Sequence, residues 1–249
     1  MNLLRACLSV WIWIAVALVA ILGSVFQACL LAVTYPFDET RRIAGRFFRL
    51  MAVTAVKLSP MWRFRALKPY PSELRNTVVV SNHMSQLDSF LISHLPWEMK
   101  WLAKASLFRI PFIGWSMRAA GDIPVHRGAG ASVNLAMRRC AEYLEQGMPV
   151  CIFPEGTRST SEALLPFKDG AFRLAIETGS DVLPIAVAGT HKALPKHSWK
   201  FNFSRGLVKV GTPISTRGLS VDDITAVKAQ ARAQIEAMLE ELRPLATPD

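Results

Sequence analysis

Residues 78–90 read VVVSNHMSQLDSF: an apolar run gives way to the amide of Asn82, the imidazole of His83, the hydroxyl of Ser85 and the carboxylate of Asp88. A carboxylate hydrogen-bonded to one ring nitrogen fixes the tautomer of an imidazole and stabilises the imidazolium that forms when the other nitrogen takes a proton. Such a pair is a general base, worth about 10²- to 10⁴-fold in rate. On one continuous helix the five-residue separation would set His83 and Asp88 about 140° apart, so a turn must lie between them. Ser85 and Asp88 have the spacing of an N-capping box, with Ser85 as the cap and Asp88 in the first helical turn, which also gives Asp88 a purely structural reading. No G-x-S-x-G elbow surrounds Ser81 or Ser85, so the proton comes from a substrate hydroxyl rather than from a serine nucleophile.

A second cluster, PVCIFPEGTRS at 149–159, runs from another apolar stretch into Glu155, Gly156, Thr157 and Arg158. Arginine offers a planar fork suited to phosphate, threonine a hydroxyl donor, and glycine lets backbone N–H groups approach an anion. Alone, such a turn could be a salt-bridged loop; beside a His/Asp pair it points to an anionic substrate.

Both clusters need strands that deliver them to one edge. Short β-branched runs at 77–81, 122–126, 149–153, 182–188 and 207–211 alternate with helical patterns at 86–95, 131–146, 170–178 and 221–243. That alternation predicts an α/β domain with a mainly parallel sheet flanked by helices, and loops at strand ends are where such sheets assemble sites. Gly147 is placed to close the helix at 131–146. Four cysteines with no C-x-x-C pair suggest neither a zinc ribbon nor a disulfide framework.

The chain of 249 residues is 51% hydrophobic and carries a net charge of +10. Of its basic residues, nine lie before residue 69 against two acids. With no nucleic-acid reading motif, this basicity points to an anionic membrane surface and excludes a nucleic-acid partner. Ala6–Phe37 holds no charged residue; as one helix it would run about 48 Å against roughly 30 Å of bilayer hydrocarbon. A tilted span, a helix broken near Gly23–Ser24 and a helix pair in one leaflet all satisfy this length. Arg42, Arg46 and Arg49 then recur at helical spacing among apolar residues, the pattern of a basic interfacial helix, and Trp62 suits an interfacial belt. The expected organisation is an anchor of hydrophobic and amphipathic helices at 1–68 and a domain at 69–249. If the first segment spans, Arg41, Arg42, Arg46 and Arg49 outweigh Arg5 and place the domain on the cytoplasmic side of the inner membrane.

NHMSQLD (82–88) and FPEGTRS (153–159) resemble the N-H-x-S-x-x-D and F-P-E-G-T-R-S blocks of the glycerophospholipid acyltransferases, most closely the bacterial 1-acyl-sn-glycerol-3-phosphate acyltransferases. The likeness continues through 102–127, FKDGAF (167–172) and VLPIAV (182–187), covering roughly residues 75–215. It implies transfer of an acyl group from acyl-CoA or acyl carrier protein to the sn-2 hydroxyl of lysophosphatidic acid, giving phosphatidic acid, with no cofactor, metal or acyl-enzyme. His83 would be the base and Asp88 its orienting partner, with Asn82 and Ser85 shaping the turn. Gly121 and Arg127 would stand for the second block, Arg127 and Lys104 holding the acceptor phosphate. Glu155, Gly156, Thr157 and Arg158 would bind the glycerol phosphate, and Pro184 would mark the fourth block. Pro124 departs from the aromatic residue common in the second block, which leaves the local wall of the substrate site open. Glycerol 3-phosphate, a lyso-ornithine lipid and other lysophospholipids are alternative acceptors. A metal-dependent hydrolase using His83, Asp88 and Glu155 is the reading of another class, against which stands the missing ligand pair at helical spacing. His126 is expected to be strand scaffolding, His94 core, and His191 and His197 loop residues.

Overall fold

Val78, Val79 and Val80 are each fully buried, and successive side chains of a strand face opposite ways, so Thr77–Ser81 (β2) must be covered on both sides. The computed structural model describes residues 2–194 and 198–246, so His197 lies outside it. In it Val78 and Val80 enter one core and Val79 the other. β2 is central in a seven-stranded sheet. Its companions are β1 (Trp62–Ala66), β3 (Lys100–Lys104), β4 (Ile123–Val125), β5 (Val150–Ile152), β6 (Asp181–Ala188) and β7 (Ser204–Val210). The order is β1-β7-β6-β2-β5-β3-β4. Neighbours run parallel except β6 and β7, so the sheet is mixed but mostly parallel, as the alternation predicts.

One face is covered by α5 (Gly130–Glu145), α6 (Gly170–Glu177) and α8 (Ile224–Leu245), through residues such as Ala136, Leu174 and Ile235. The other packs against α1 (Asn2–Thr34), α2 (Arg42–Lys57) and α3 (Asp88–Ile92), through Ile12, Val56 and Leu91. The short helices α4 (Ile113–Ala119) and α7 (Thr190–Ala193) complete the fold. Gly147 closes α5 as expected: at φ 75° it donates to the Leu144 carbonyl while Met148 donates to that of Tyr143.

β1 falls inside the stretch assigned from sequence to the anchor. Its alternation of buried Trp62 and Phe64 with exposed arginines is that of a strand, and it pairs in register with β7 from Trp62↔Ser204 to Ala66↔Val208. The sheet therefore begins before residue 69. Trp62 packs on Phe64 and edge-on to Phe201 rather than on a bilayer.

Arg49 also departs from expectation. Although it shares the spacing of exposed Arg46, it is buried, its guanidinium 2.5 Å from Asp122 and 3.7 Å from Glu98. Lys100, fully buried, lies 3.0 Å from Glu98 and donates to the carbonyls of Arg41 and Ala120. Charges leave water only where partners replace it, so this cluster pins α2 to the sheet. Burial pushes the Glu98 and Asp122 carboxyls up and the Lys100 ammonium down, with mutual attraction opposing each shift.

α1 is one unbroken helix. Gly23 does not break it; a Cβ there would stand 2.5 Å from Met51 Cε, so the glycine is where α2 approaches closely. One stripe, including Ser9, Ile12, Ala15 and Gln27, is buried against the body. Gln27 donates to the carbonyls of Ala44 and Ser116 at 2.9 and 3.1 Å, while Ser9 accepts from the Phe201 N–H and Arg5 donates to the Phe201 carbonyl. The opposite face exposes Trp11, Ile14, Leu18, Leu22, Val25 and Phe26. By length and composition α1 is apolar enough to cross a membrane.

Candidate active site

The carboxyl ends of β6, β2, β5, β3 and β4 lie side by side on one edge of the sheet. They lead respectively into Thr190, His83, the Glu155–Arg158 turn, Lys104 and Arg127. The chain leaving β2 enters α3 on one face, whereas that leaving β5 enters α6 on the other. Divergent connections open a crevice between neighbouring strands, the usual binding place in open α/β sheets. His83 and Glu155 stand at its two lips.

His83 Nδ1 lies 2.8 Å from Asp88 Oδ2. That carboxylate is fully buried and saturated: Oδ2 also accepts the N–H groups of Met84 and Ser85, and Oδ1 accepts the Thr190 hydroxyl. The Leu87 N–H donates to Ser85 Oγ. One Asp88 oxygen thus serves turn and imidazole together, but the expected capping box is only half made: α3 begins after Leu87 with no side-chain cap, and Ser85 Oγ takes the Leu87 N–H rather than that of Asp88. The ring stacks on Phe153 with centroids 4.0 Å apart and is 12% exposed. Nδ1 is committed to Asp88, which leaves Nε2 to take a proton.

Asn82 is fully buried, its amide exchanging two hydrogen bonds with the backbone of Val187 and so extending the β2–β6 pairing by one residue. Glu155 accepts the N–H of His83 at 2.7 Å on Oε1 and of Leu165 at 3.0 Å on Oε2. With both oxygens held by backbone, Glu155 clamps the two loops together, and burial pushes its carboxyl up. The Ser159 N–H closes the same joint by donating to the His83 carbonyl at 2.8 Å.

Thr157, Arg158, Lys104 and Arg127 are all exposed. Among the described residues none of their cationic groups makes an ion pair or hydrogen bond, and the pKa of the Arg127 guanidinium, partly desolvated although the residue as a whole is exposed, is lowered first by that desolvation and next by the charge of Arg158. Two unpaired arginines at one edge suit an anion. Gly156 is favoured by its φ of 68°, and a Cβ there would stand 2.9 Å from Lys168 Nζ, the movable end of a flexible side chain lying over the turn. Lys168 therefore adds a cation to the turn; its presence in FKDGAF was the only sequence signal.

Gly121 and Pro184 do not join the site. Gly121 precedes β4 at φ 77°, with Tyr143 Oη 2.5 Å from where its Cβ would be; it stands at the opposite end of that strand from Arg127. Pro184 is buried within β6, paired with Val80. Its carbonyl accepts from Gly211 beyond the end of the β6–β7 ladder, so its missing donor falls where that ladder has stopped. Pro124 lies on β4, the sheet's edge, where a missing donor is tolerated. His126 is exposed and His94 half-buried, while His191 follows Thr190 at the site's margin. Among the described residues no three His, Cys, Asp or Glu side chains converge as a metal set.

Thr190, the one partner of Asp88 Oδ1 among the described residues, was invisible to sequence reasoning because it arrives from 102 positions away. A hydrogen bond to a charged group contributes about 1.5–3 kcal/mol. Thr190→Val should lower turnover roughly tenfold, leaving the acceptor KM unchanged in initial-rate assays; an unaltered rate would remove Thr190 from the catalytic support.

A profile of the Acyltransferase family matches residues 64–188. The chloroplast 1-acyl-sn-glycerol-3-phosphate acyltransferase BAT2 of Brassica napus is 35% identical over 191 residues, covering 74% of this chain and 55% of that protein. A 1-acyl-sn-glycerol-3-phosphate acyltransferase of Haemophilus influenzae is 26% identical over 225 residues, 86% of this chain and 90% of that one. The chain spans about half the length of the plant and algal relatives it matches. The crystal structure of PlsC, the 1-acyl-sn-glycerophosphate acyltransferase of Thermotoga maritima, superposes with a TM-score of 0.80 over 97% of each chain at 23% identity, a likeness of fold.

Proposed function

The chain belongs to the acyltransferase family, and from that premise we propose that it moves a fatty acyl group from acyl-CoA or acyl carrier protein to the sn-2 hydroxyl of lysophosphatidic acid. The observation that carries this reading is the 2.8 Å contact of His83 Nδ1 with a buried, saturated Asp88. His83 Nε2 takes the proton of the acceptor hydroxyl as its oxygen attacks the thioester carbonyl. The new C–O bond forms, the C–S bond breaks, and the imidazolium returns its proton to the departing thiolate. Asp88 stabilises the imidazolium in between.

Arg158, Arg127, Lys104 and Lys168 are the cations available to the acceptor phosphate, and Glu155 sets the spacing between their turn and the base. The names of the relatives support a 1-acyl-glycerol 3-phosphate acceptor. The test is an acceptor panel with lysophosphatidic acid, glycerol 3-phosphate and other lysophospholipids, each assayed with both thioesters in lipid. Preference for lysophosphatidic acid is expected; hydrolysis of thioester or ester without transfer would reject the reading.

The anchor is proposed to lie in one leaflet of the inner membrane, with the domain in the cytoplasm. Its support is the buried stripe of α1, tied to the body at Ser9 and Gln27, which lays the helix along a water-facing domain and turns its apolar side outward. Deleting residues 1–40 would strip Ile12 from the core, so point changes test this better. Leu22→Glu with Phe26→Glu on the exposed face should shift vesicle partitioning toward solution by at least tenfold, since each side chain contributes about 1.5–3 kcal/mol of apolar burial. Unchanged flotation would reject it.

A further inference from the structure

Beside β4, the open edge of the sheet, lies a groove of about 540 Å³ that belongs to none of the groups assigned to the reaction. Arg41, Arg109, Arg118 and Arg139 line it, with His126 and Tyr143. Among the described residues only Arg139 of these has a carboxylate partner, exposed Glu142. Arg41 is spent on a backbone carbonyl, that of Arg118, at 2.6 Å; the Arg118 guanidinium lies 5.9 Å over the Phe108 ring; Arg139 stacks 4.7 Å over Tyr143. Arg109 has no ion pair among the described residues. Asp122 borders the groove, but it is buried and its Oδ1 is held by Arg49 and the Trp101 N–H.

Four cations around one cavity repel one another, and apart from the exposed Glu142 beside Arg139 their contacts are with rings and carbonyls, which orient without neutralising. An anion with several oxygens in a plane-matching array relieves both deficits, which is the chemistry of phosphate. The setting specifies its source. Phe37 is 69% exposed just ahead of Arg41, and Trp115 is 56% exposed between Arg109 and Arg118, with Tyr35 and Ile110 exposed alongside. Arginines bordered by exposed aromatic and aliphatic side chains match the order of a bilayer surface, phosphates above acyl chains.

We propose that this groove is a second phosphate-binding site, its ligand the headgroup phosphate of an anionic lipid. Its lining includes none of Lys104, Arg127, Arg158 and Lys168, although His126 directly precedes Arg127 in the chain.

The test reads binding rather than turnover, so its result does not depend on the proposed reaction. Full-length protein in phosphatidylcholine nanodiscs would be titrated with phosphatidylglycerol, whose acyl positions are filled, and bound lipid counted by native mass spectrometry. Wild type should prefer phosphatidylglycerol to phosphatidylcholine at least tenfold. Arg109→Gln with Arg118→Gln should cut that preference tenfold at an unchanged melting temperature. Arg41→Gln with Arg139→Gln, on different elements, should weaken it independently, and Arg158→Ala should leave it alone. A second arm replaces the lipid with adenosine 3′,5′-bisphosphate. If that nucleotide alone binds and the same variants abolish its binding, a soluble phosphate is the ligand and the lipid assignment is overturned. Both pairs of variants leaving both probes within twofold of wild type would overturn the site altogether, as would capture of an acidic carrier protein with neither phosphate probe affected.

Discussion

His83→Ala is expected to lower acyl transfer by about 10²- to 10⁴-fold, the range a positioned general base supplies, with the melting temperature and membrane association nearly unchanged. The fold should survive because the contacts that tie the two loops use the backbone of His83: its N–H donates to Glu155 and its carbonyl accepts from Ser159. Only the ring is lost, and with it the stack on Phe153. Asp88→Asn should cost less. An amide oxygen can still accept from the Met84 and Ser85 N–H groups, and its NH₂ can meet the Thr190 hydroxyl, so the turn persists while the charge that stabilises the imidazolium disappears. The loss should appear in kcat, with acceptor KM held. Turnover by His83→Ala at the wild-type rate would end the general-base mechanism.

Arg158→Ala is expected to raise the KM for lysophosphatidic acid by roughly 10- to 100-fold, the equivalent of one strong charge-assisted contact, and to leave the thioester KM nearly constant. Neither Arg158 nor Arg127 has a carboxylate partner among the described residues, and the charge of Arg158 helps lower Arg127, so both stand ready for one dianion. Arg158→Lys keeps charge without the bidentate fork and should recover only part of the loss. A neutral monoacylglycerol gives the decisive control, since it presents nothing for the arginine to hold. An equal proportional loss with both acceptors would reassign Arg158 to the fold or the donor. Lys168, whose stem packs over Gly156, bounds the remaining affinity.

Much of this was legible in the chain because it is local. The strand–turn–helix around His83 rests on residues 82–88, and the capping spacing of Ser85 and Asp88 describes hydrogen bonds made within four positions. Alternating β-branched runs and helical periods gave five strands and the mainly parallel class, since parallel strands need helical crossovers. The Gly147 helix stop likewise depends on one residue's freedom at positive φ.

What packing alone decided involves partners distant in sequence. Arg46 and Arg49 look alike on a helical wheel, yet one is exposed and the other is enclosed by Glu98 and Asp122, because the sheet supplies acids 49 and 73 positions on. Glu155 reads as a substrate ligand in its block, but its oxygens are taken by backbone from 72 and 10 residues away. β1 carries arginines on its open face, so its composition resembles a basic interfacial segment until β7 pairs with it. Hydrogen-bonding and turn preferences act over a few residues and are written in local composition. Which charge is desolvated, which strand finds an edge and which hydroxyl reaches Asp88 depend on distant surfaces excluding water together, and that is fixed only when the tertiary fold closes.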